Sequence, residues 1–88
     1  SLAAIAESVH VTPNYFSRVF RKETGESFIE WLNKYRIEKA KELLNDLSLK
    51  TYEVAEKVGF NDYKHFSYNF KKYMNCSLTE YKEQRLKG

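Results

Sequence analysis

The amino-acid sequence predicts an all-α fold built from two similar pairs of helices joined by a long central helix. Three observations support this prediction. Apolar residues recur at helical spacing along the chain, a similar series of residues occurs twice about fifty positions apart, and no segment alternates as a strand would. We predict one domain over residues 1–88, with the first pair over 1–26, the linking helix over 27–48, and the second pair with a C-terminal helix over 49–88.

The internal repeat has two registers. At one offset, Ile5, Ala6, Glu7 and Val9 match Val54, Ala55, Glu56 and Val58; one residue later, Phe16, Ser17, Phe20, Lys22, Ser27 and Glu30 match Phe66, Ser67, Phe70, Lys72, Ser77 and Glu80. The change of register indicates one inserted residue in the second turn. A fixed period of this kind means that the same structural unit was built twice.

The first copy carries signals for a short helix, a turn and a second helix. Thr12 is suited to cap a helix and Pro13 to occupy its first position, while Gly25 is suited to end it. The inward stripes are predicted to contain Leu2, Ile5, Ala6 and Val9 in the first helix and Phe16, Val19 and Phe20 in the second. His10 falls in the turn between them.

The second copy and the central helix follow the same logic. Thr51 begins a helix, Gly59 makes the turn, and a helix runs from about Asn61 or Asp62 to Met74. Capping boxes begin the central helix at Ser27 and the final helix at Ser77. The central apolar stripe is predicted to contain Phe28, Trp31, Leu32, Tyr35, Ala40, Leu43, Leu44 and Leu47.

Composition excludes several classes of protein. Hydrophobic residues make up 42% and charged residues 31% of the 88-residue chain, as in ordinary folded proteins. No apolar run approaches the roughly 20 residues of a membrane span. One cysteine and two histidines leave no disulfide framework, metal site or catalytic set, so we predict no cofactor and no enzymatic activity. A net charge of +3 is compatible with a polyanionic partner.

A helix-turn-helix whose second helix has a polar, basic outer face can present side chains to base edges in the major groove of duplex DNA. Here the predicted fold is a homeodomain-like tandem helix-turn-helix. A linking helix of about 20 residues would span roughly 30 Å, close to one turn of B-DNA at about 34 Å. One chain could therefore address two successive major grooves at a direct, non-palindromic site.

The residues of the repeat also resemble the DNA-binding domains of AraC/XylS-type bacterial transcription regulators. The resemblance covers nearly the whole chain, through Leu2 to Val9, Tyr15 to Gly25, YRIEKAKELL (35–44) and VAEKVGFNDYKHFSYNFKKYMNCSLTEY (54–81). It implies seven helices, of which the third and sixth enter the major grooves. This chain opens where the family's second helix starts, so we expect the first helix to be absent.

The resemblance assigns the site residues position by position. The implied base contacts are Asn14, Ser17 and Arg18 in the first copy, and Tyr63, Lys64, His65, Ser67 and Tyr68 in the second. The implied phosphate contacts are Arg21, Lys22, Arg36, Thr51 and Lys71. Arginine is common in the family where this chain has Tyr68, and glycine is usual where it has Asn75, a residue that tolerates the left-handed conformation.

The resemblance further implies a transcription regulator of the bacterial cytoplasm and nucleoid, with double-stranded DNA and RNA polymerase as partners. Activation is favoured over repression, and a sensor or receiver domain is expected upstream of this segment. A helical protein-interaction module that contacts polymerase or a regulatory partner is the alternative interpretation. The salt dependence of binding distinguishes the two, because only phosphate neutralisation makes affinity fall steeply with ionic strength.

Overall fold

The computed structural model describes residues 1–87, which form six α-helices and no β-strand. The helices are α1 (Leu2–Ser8), α2 (Pro13–Thr24), α3 (Phe28–Leu43), α4 (Thr51–Lys57), α5 (Tyr63–Met74) and α6 (Leu78–Lys87). The all-α prediction is therefore confirmed. The chain divides inside α3 into two compact units, Ser1–Asn33 and Lys34–Gly88.

The two copies of the repeat share one pattern of backbone hydrogen bonds in their turns. The first copy has amide-to-carbonyl bonds Val9–Ile5 (3.3 Å), His10–Glu7 (3.0 Å) and Val11–Ala6 (3.0 Å), and the second has Val58–Val54 (3.1 Å), Gly59–Glu56 (3.1 Å) and Phe60–Ala55 (2.9 Å). Each bond of the first copy recurs 49 residues later. Asn61 is then the inserted residue, because later equivalences fall one position further along.

Left-handed residues occupy equivalent places in both copies. The turn between the paired helices has His10 at φ 61° and Gly59 at φ 104°. The second helix of each pair ends at Gly25 with φ 81° and at Asn75 with φ 60°. The sequence interpretation of Gly25 as a helix end and of Asn75 as a tolerated substitute is confirmed, because asparagine adopts this conformation more readily than most residues.

The core of the second unit is formed by α3 to α6. Its buried members are Ile37, Ala40, Leu44, Val54, Ala55, Phe60, Phe66, Phe70 and Leu78. Phe66 and Phe70 are fully buried, and their rings lie 6.1 Å apart. Residues four apart lie on one face of a helix, so this pair determines which face of α5 turns inward.

The first unit packs around aromatic rings. Phe16 and Phe20 of α2 are half-buried, with ring centroids 6.1 Å apart. Each meets Phe28 edge-on, at 5.7 Å and 5.4 Å, and Phe20 also meets the Trp31 ring at 6.0 Å. Edge-to-face pairs of this kind are a preferred aromatic arrangement. The two phenylalanines therefore fix the inward face of α2, as the sequence predicted.

The apolar stripes predicted from the sequence extend less far than expected. Val9, Val19, Trp31, Tyr35 and Leu47 were predicted to face inward, but all are exposed, Leu47 to 72%. Val19 lies at the edge of the stripe formed by Phe16 and Phe20. The Tyr35 ring instead lies under the Lys39 ammonium, 5.6 Å from its centroid. Leu47 lies beyond the end of α3, in a turn.

The central helix is shorter than the predicted 20 residues or so. It contains 16 residues, Phe28–Leu43, which corresponds to roughly 24 Å. After it the chain continues in turns, and the Asp46 carboxylate accepts hydrogen bonds from the Ser48 amide (3.0 Å) and hydroxyl (2.6 Å). These two bonds lower the pKa of Asp46. A side chain that binds the nearby backbone in this way competes with helix continuation.

The capping box at the start of α6 is complete. The Ser77 amide donates to the Glu80 carboxylate (3.0 Å), and the Glu80 amide donates to the Ser77 hydroxyl (3.1 Å). Hydrogen bonds from the Ser77 backbone and side chain lower the pKa of Glu80. Because the folded-state pKa is depressed, the box stabilises the fold above the ordinary carboxyl pKa and loses this contribution as pH falls through the folded-state value.

Replacing His10 with glycine should stabilise the protein. A left-handed backbone costs a non-glycine residue about 1–2 kcal/mol, and part of that cost remains after the greater unfolded-state entropy of glycine is subtracted. We expect His10→Gly to raise the free energy of unfolding by about 0.5–1 kcal/mol in urea titrations. Val9→Gly, at φ −104°, is the matched control and should destabilise the protein. A less stable His10→Gly variant would contradict the role assigned to this turn.

Candidate nucleic-acid interface

The start of α2 is fixed by the Thr12 hydroxyl, which accepts a hydrogen bond from the Tyr15 amide at 3.1 Å. Pro13 occupies the first helical position, where the absence of an amide hydrogen removes no helix bond. Gly25 closes the other end by donating its amide to the Arg21 carbonyl at 2.8 Å. The cap and the glycine therefore set the length of the helix, as the sequence predicted.

The outer face of α2 carries the residues that the sequence assigned to DNA. Asn14, Arg18, Arg21 and Lys22 are exposed, and Ser17 is half-buried. They lie opposite the inward rings because they occupy the remaining helical positions around Phe16 and Phe20. The structure thus brings the five predicted contacts of the first copy onto one exposed, basic surface.

The second helix-turn-helix has the same design with different residues. The Asp62 carboxylate accepts a hydrogen bond from the Lys64 amide at 2.9 Å and caps α5. On the inner side, Asn69 is 3% exposed and its side-chain amide donates to the His65 carbonyl at 2.9 Å. The buried phenylalanines therefore keep one face of α5 outward, while the cap and the Asn69 bond satisfy polar groups of the helix itself.

The outer face of α5 is less basic and more aromatic. Tyr63, Lys64, His65 and Tyr68 are exposed, and Tyr68 is 67% exposed. A shallow surface depression of about 390 Å³ is lined by Ser67, Tyr68, Lys71 and Lys72. Two implied base contacts, Ser67 and Tyr68, therefore share this depression with an implied phosphate contact, Lys71.

Lys72 is a residue that the sequence analysis did not assign to the site. It lines the same depression, and its ammonium lies over the Tyr73 ring at 5.3 Å. The signal was present in the sequence, since Lys72 is the repeat counterpart of Lys22, an implied phosphate contact. Applying the repeat to the site residues as well as to the fold would have found it.

His65 is held differently from its neighbours. Its ring meets the buried Phe60 ring edge-on, with 5.4 Å between the centroids. The imidazole therefore packs against Phe60 of the turn, although the residue as a whole is exposed. Its contact with a base stays a prediction.

Arg36 belongs to α3 and Thr51 begins α4, so neither residue is part of the two polar helices. Arg36 is half-buried, and its guanidinium lies over the Phe60 ring at 5.7 Å. The Thr51 hydroxyl accepts a hydrogen bond from the Lys82 ammonium at 3.2 Å. The Glu53 carboxylate already accepts the Lys50 amide at the start of α4, at 2.9 Å. Both residues therefore have protein partners where the family resemblance implies phosphate.

A surface cleft nevertheless connects Thr51 with α5. The cleft is open to solvent, has a volume of about 570 Å³ and is lined by Leu47, Leu49, Lys50, Thr51, Tyr52, Tyr63 and Lys82. Tyr63 is the first residue of α5, so an implied phosphate contact and an implied base contact share this cleft.

The lysines near the end of α3 have local partners. The Lys39 and Lys41 ammonium groups lie 3.9 Å from Glu42 and 3.5 Å from Glu38, each within the helix. These cations are therefore part of a solvated helix face. Within the described part of the chain, no helix is long and apolar enough to cross a membrane, and no cluster of three or more histidine, cysteine or acidic side chains could hold a metal ion.

Two outward polar helices, each following a short helix and a tight turn, define a DNA-binding helix-turn-helix domain. A family model described as a helix-turn-helix domain matches residues 5–84. The chain belongs to this family and is of the AraC type, which confirms the resemblance seen in the sequence.

Known relatives are longer proteins. The chain is 45% identical over 76 residues to a response regulatory protein of Staphylococcus epidermidis, covering 86% of this chain and 30% of the relative. It is 39% identical over 84 residues to the transcriptional regulatory protein HptR of Staphylococcus aureus, covering 96% and 33%. The chain therefore spans about a third of the length of these relatives.

A solved structure shows the same fold. It is the C-terminal domain of AraT, a response regulator from Geobacillus stearothermophilus, with a TM-score of 0.86 and 43% sequence identity. The match covers 96% of this chain and 69% of that one.

The cap of α5 provides a test of how the second polar helix is held. We expect Asp62→Ala to lower the free energy of unfolding by about 1 kcal/mol, because the Lys64 amide loses its acceptor. Asp62→Asn keeps an oxygen acceptor, so its free energy of unfolding should differ from that of the original protein by only a few tenths of about 1 kcal/mol. Urea titration measures both. Equal stability of the two variants would show that the cap contributes nothing.

Proposed function

We propose that this domain binds duplex DNA sequence-specifically by placing α2 and α5 in two successive major grooves. The observation that carries the proposal is the duplicated turn, which holds two helices of 12 residues with polar faces outward. A helix of this size fits the major groove of B-DNA, where each base pair displays a distinct pattern of donors and acceptors. Because both copies run in one chain, the site is a direct repeat with no need for palindromy.

Arg18 is the residue we assign to base recognition by α2. It is exposed, and it follows Asn14 and Ser17 on the outer face. A guanidinium can donate two parallel hydrogen bonds to O6 and N7 of guanine, and such a contact discriminates by about 1–3 kcal/mol. Arg21 and Lys22, near the end of the helix, would neutralise phosphates and set the register without carrying sequence information.

The second recognition helix has a different chemistry. Tyr68 stands at the repeat position of Arg18 and is 67% exposed. We assign it to apolar contact with a thymine methyl group or to a single hydrogen bond, with Tyr63, Lys64, His65 and Ser67 beside it. Lys71 and Lys72, like their counterparts Arg21 and Lys22, are suited to phosphates. The second half-site should therefore tolerate more base changes than the first.

The relatives support a wider role. A transcriptional regulatory protein and response regulators carry similar segments in longer chains. We infer that this domain is the output part of a bacterial transcription regulator that works in the cytoplasm on the nucleoid. Its control by an upstream receiver or sensor domain, and activation through contact with RNA polymerase, are parts of this proposal.

Selection of binding sites from a random pool of duplexes tests the proposal. We expect an enriched site with two blocks about 10 base pairs apart. Arg18→Ala should relax one block only, at a cost of about 1–3 kcal/mol, because it removes one base contact. Lys57→Ala, an exposed cation at the end of α4, is the matched control and should leave both blocks intact.

Repeating the selection at two salt concentrations tests the alternative function, a protein-interaction module. Phosphate contacts make affinity fall steeply with salt for every DNA sequence. Weak binding that only fades with salt, without enrichment of any sequence, would contradict specific recognition. It would instead favour a role in protein interaction.

A further inference from the structure

The turns of the two copies differ in what fills the space beside them. The first copy has His10 at the left-handed position, so a Cβ is accommodated there. The second has Gly59, where a Cβ would lie 2.9 Å from Nε and 3.3 Å from Cζ of Arg36. Real Cβ atoms essentially never come within 3.0 Å of another heavy atom, so a Cβ here would require the guanidinium, at the end of a flexible side chain, to shift. The space that a side chain occupies in the first turn is therefore occupied by a guanidinium in the second.

The same guanidinium contacts the next residue of the turn. Its Cζ lies 5.7 Å from the centroid of the Phe60 ring, within the range of a cation–π interaction. Phe60 is 3% exposed, so the ring is fixed in the core. The repeat counterpart of Phe60 is Val11, which has no ring. The second turn thus has a cation–π contact for which the first turn has no ring.

Phe60 in turn contacts the first turns of α5. Its centroid lies 5.4 Å from the ring of His65 and 5.4 Å from the ring of Phe66. His65 is on the proposed DNA-facing surface and Phe66 is one of the two inward anchors. A continuous series of packed groups therefore joins Arg36 on α3 to the start of the second recognition helix.

We infer that Arg36 is a positioning residue for the second recognition helix, acting through Gly59 and Phe60 rather than by binding a phosphate. The inference rests on the proposed function, because it concerns how α5 is presented to DNA. A planar guanidinium can lie flat against both the ring and the glycine, whereas a lysine ammonium is a compact charge on a flexible stem. Arginine and lysine are therefore not equivalent at this position.

Two variants of Arg36 test the inference in DNA binding. Arg36→Lys keeps the charge and loses the planar group, while Arg36→Met loses the charge and keeps most of the stem. The readout is the ratio of affinities for the selected site and for the same site with its second block scrambled. This ratio does not depend on the fraction of active protein. We expect both variants to lower it about five-fold, with the salt dependence of binding unchanged.

Arg21→Met is the matched control, since Arg21 is an exposed arginine assigned to phosphate in the first copy. It should reduce the slope of log affinity against log salt by about one and leave the second-block ratio unchanged. The same behaviour in Arg36→Met, with Arg36→Lys like the original protein, would overturn the inference in favour of a phosphate contact. An unchanged ratio in both Arg36 variants would also overturn it. An original protein that does not distinguish the two DNA molecules would overturn the proposed function itself.

A double-mutant cycle tests the underlying contact without DNA. Gly59→Ala introduces the Cβ that would meet the guanidinium, and Arg36→Ala removes the guanidinium. We expect Gly59→Ala to raise the unfolding equilibrium constant in both backgrounds, but by a factor about five times smaller when Arg36 is already alanine. The reason is that part of the destabilisation by Gly59→Ala comes from the collision with Arg36. Additive effects in urea titrations would show that the two residues are not coupled and would overturn the inference.

Discussion

A pair of phenylalanines four residues apart is the constraint on which both halves of this domain depend. Phe16 and Phe20 in α2, and Phe66 and Phe70 in α5, have the same centroid separation of 6.1 Å. Because residues four apart lie on one face, burial of each pair determines which face of its helix points inward. The positions between and beyond the rings then face outward. The polar faces that we assign to DNA are thus a consequence of how the apolar faces are packed.

Both copies keep this arrangement of inward phenylalanines, but the residues around it differ. The turns retain the same hydrogen bonds, yet one has His10 and Val11 where the other has Gly59 and Phe60. The recognition helices differ in the same way, since Arg18 corresponds to Tyr68 and the exposed Val19 to the buried Asn69. The two halves therefore have one architecture and two surface chemistries, which suits a direct repeat with unequal half-sites.

Local signals were sufficient to predict most of the fold. The Thr12 cap, the Gly25 helix end and the Ser77 capping box depend on interactions within a few residues, and the structure confirms them. The exposure of Leu47 was not predictable from spacing alone, because α3 ends at Leu43 and Leu47 lies in the turns that follow it.

The candidate site was predicted less completely than the fold. The outward faces of α2 and α5 followed from helical periodicity once the inward phenylalanines were recognised. The position of Arg36 did not, because its partners Gly59 and Phe60 are more than twenty residues away in the chain and their contact exists only in the folded unit. Charge and family position alone implied a phosphate contact for this residue.

We propose that one chain occupies two successive major grooves. A hydroxyl-radical footprint of the monomeric domain on its selected site tests this most directly. We expect two protected windows on one face of the duplex, with centres about 10 base pairs apart. A single window about half as long, unchanged when the second block is scrambled, would contradict it.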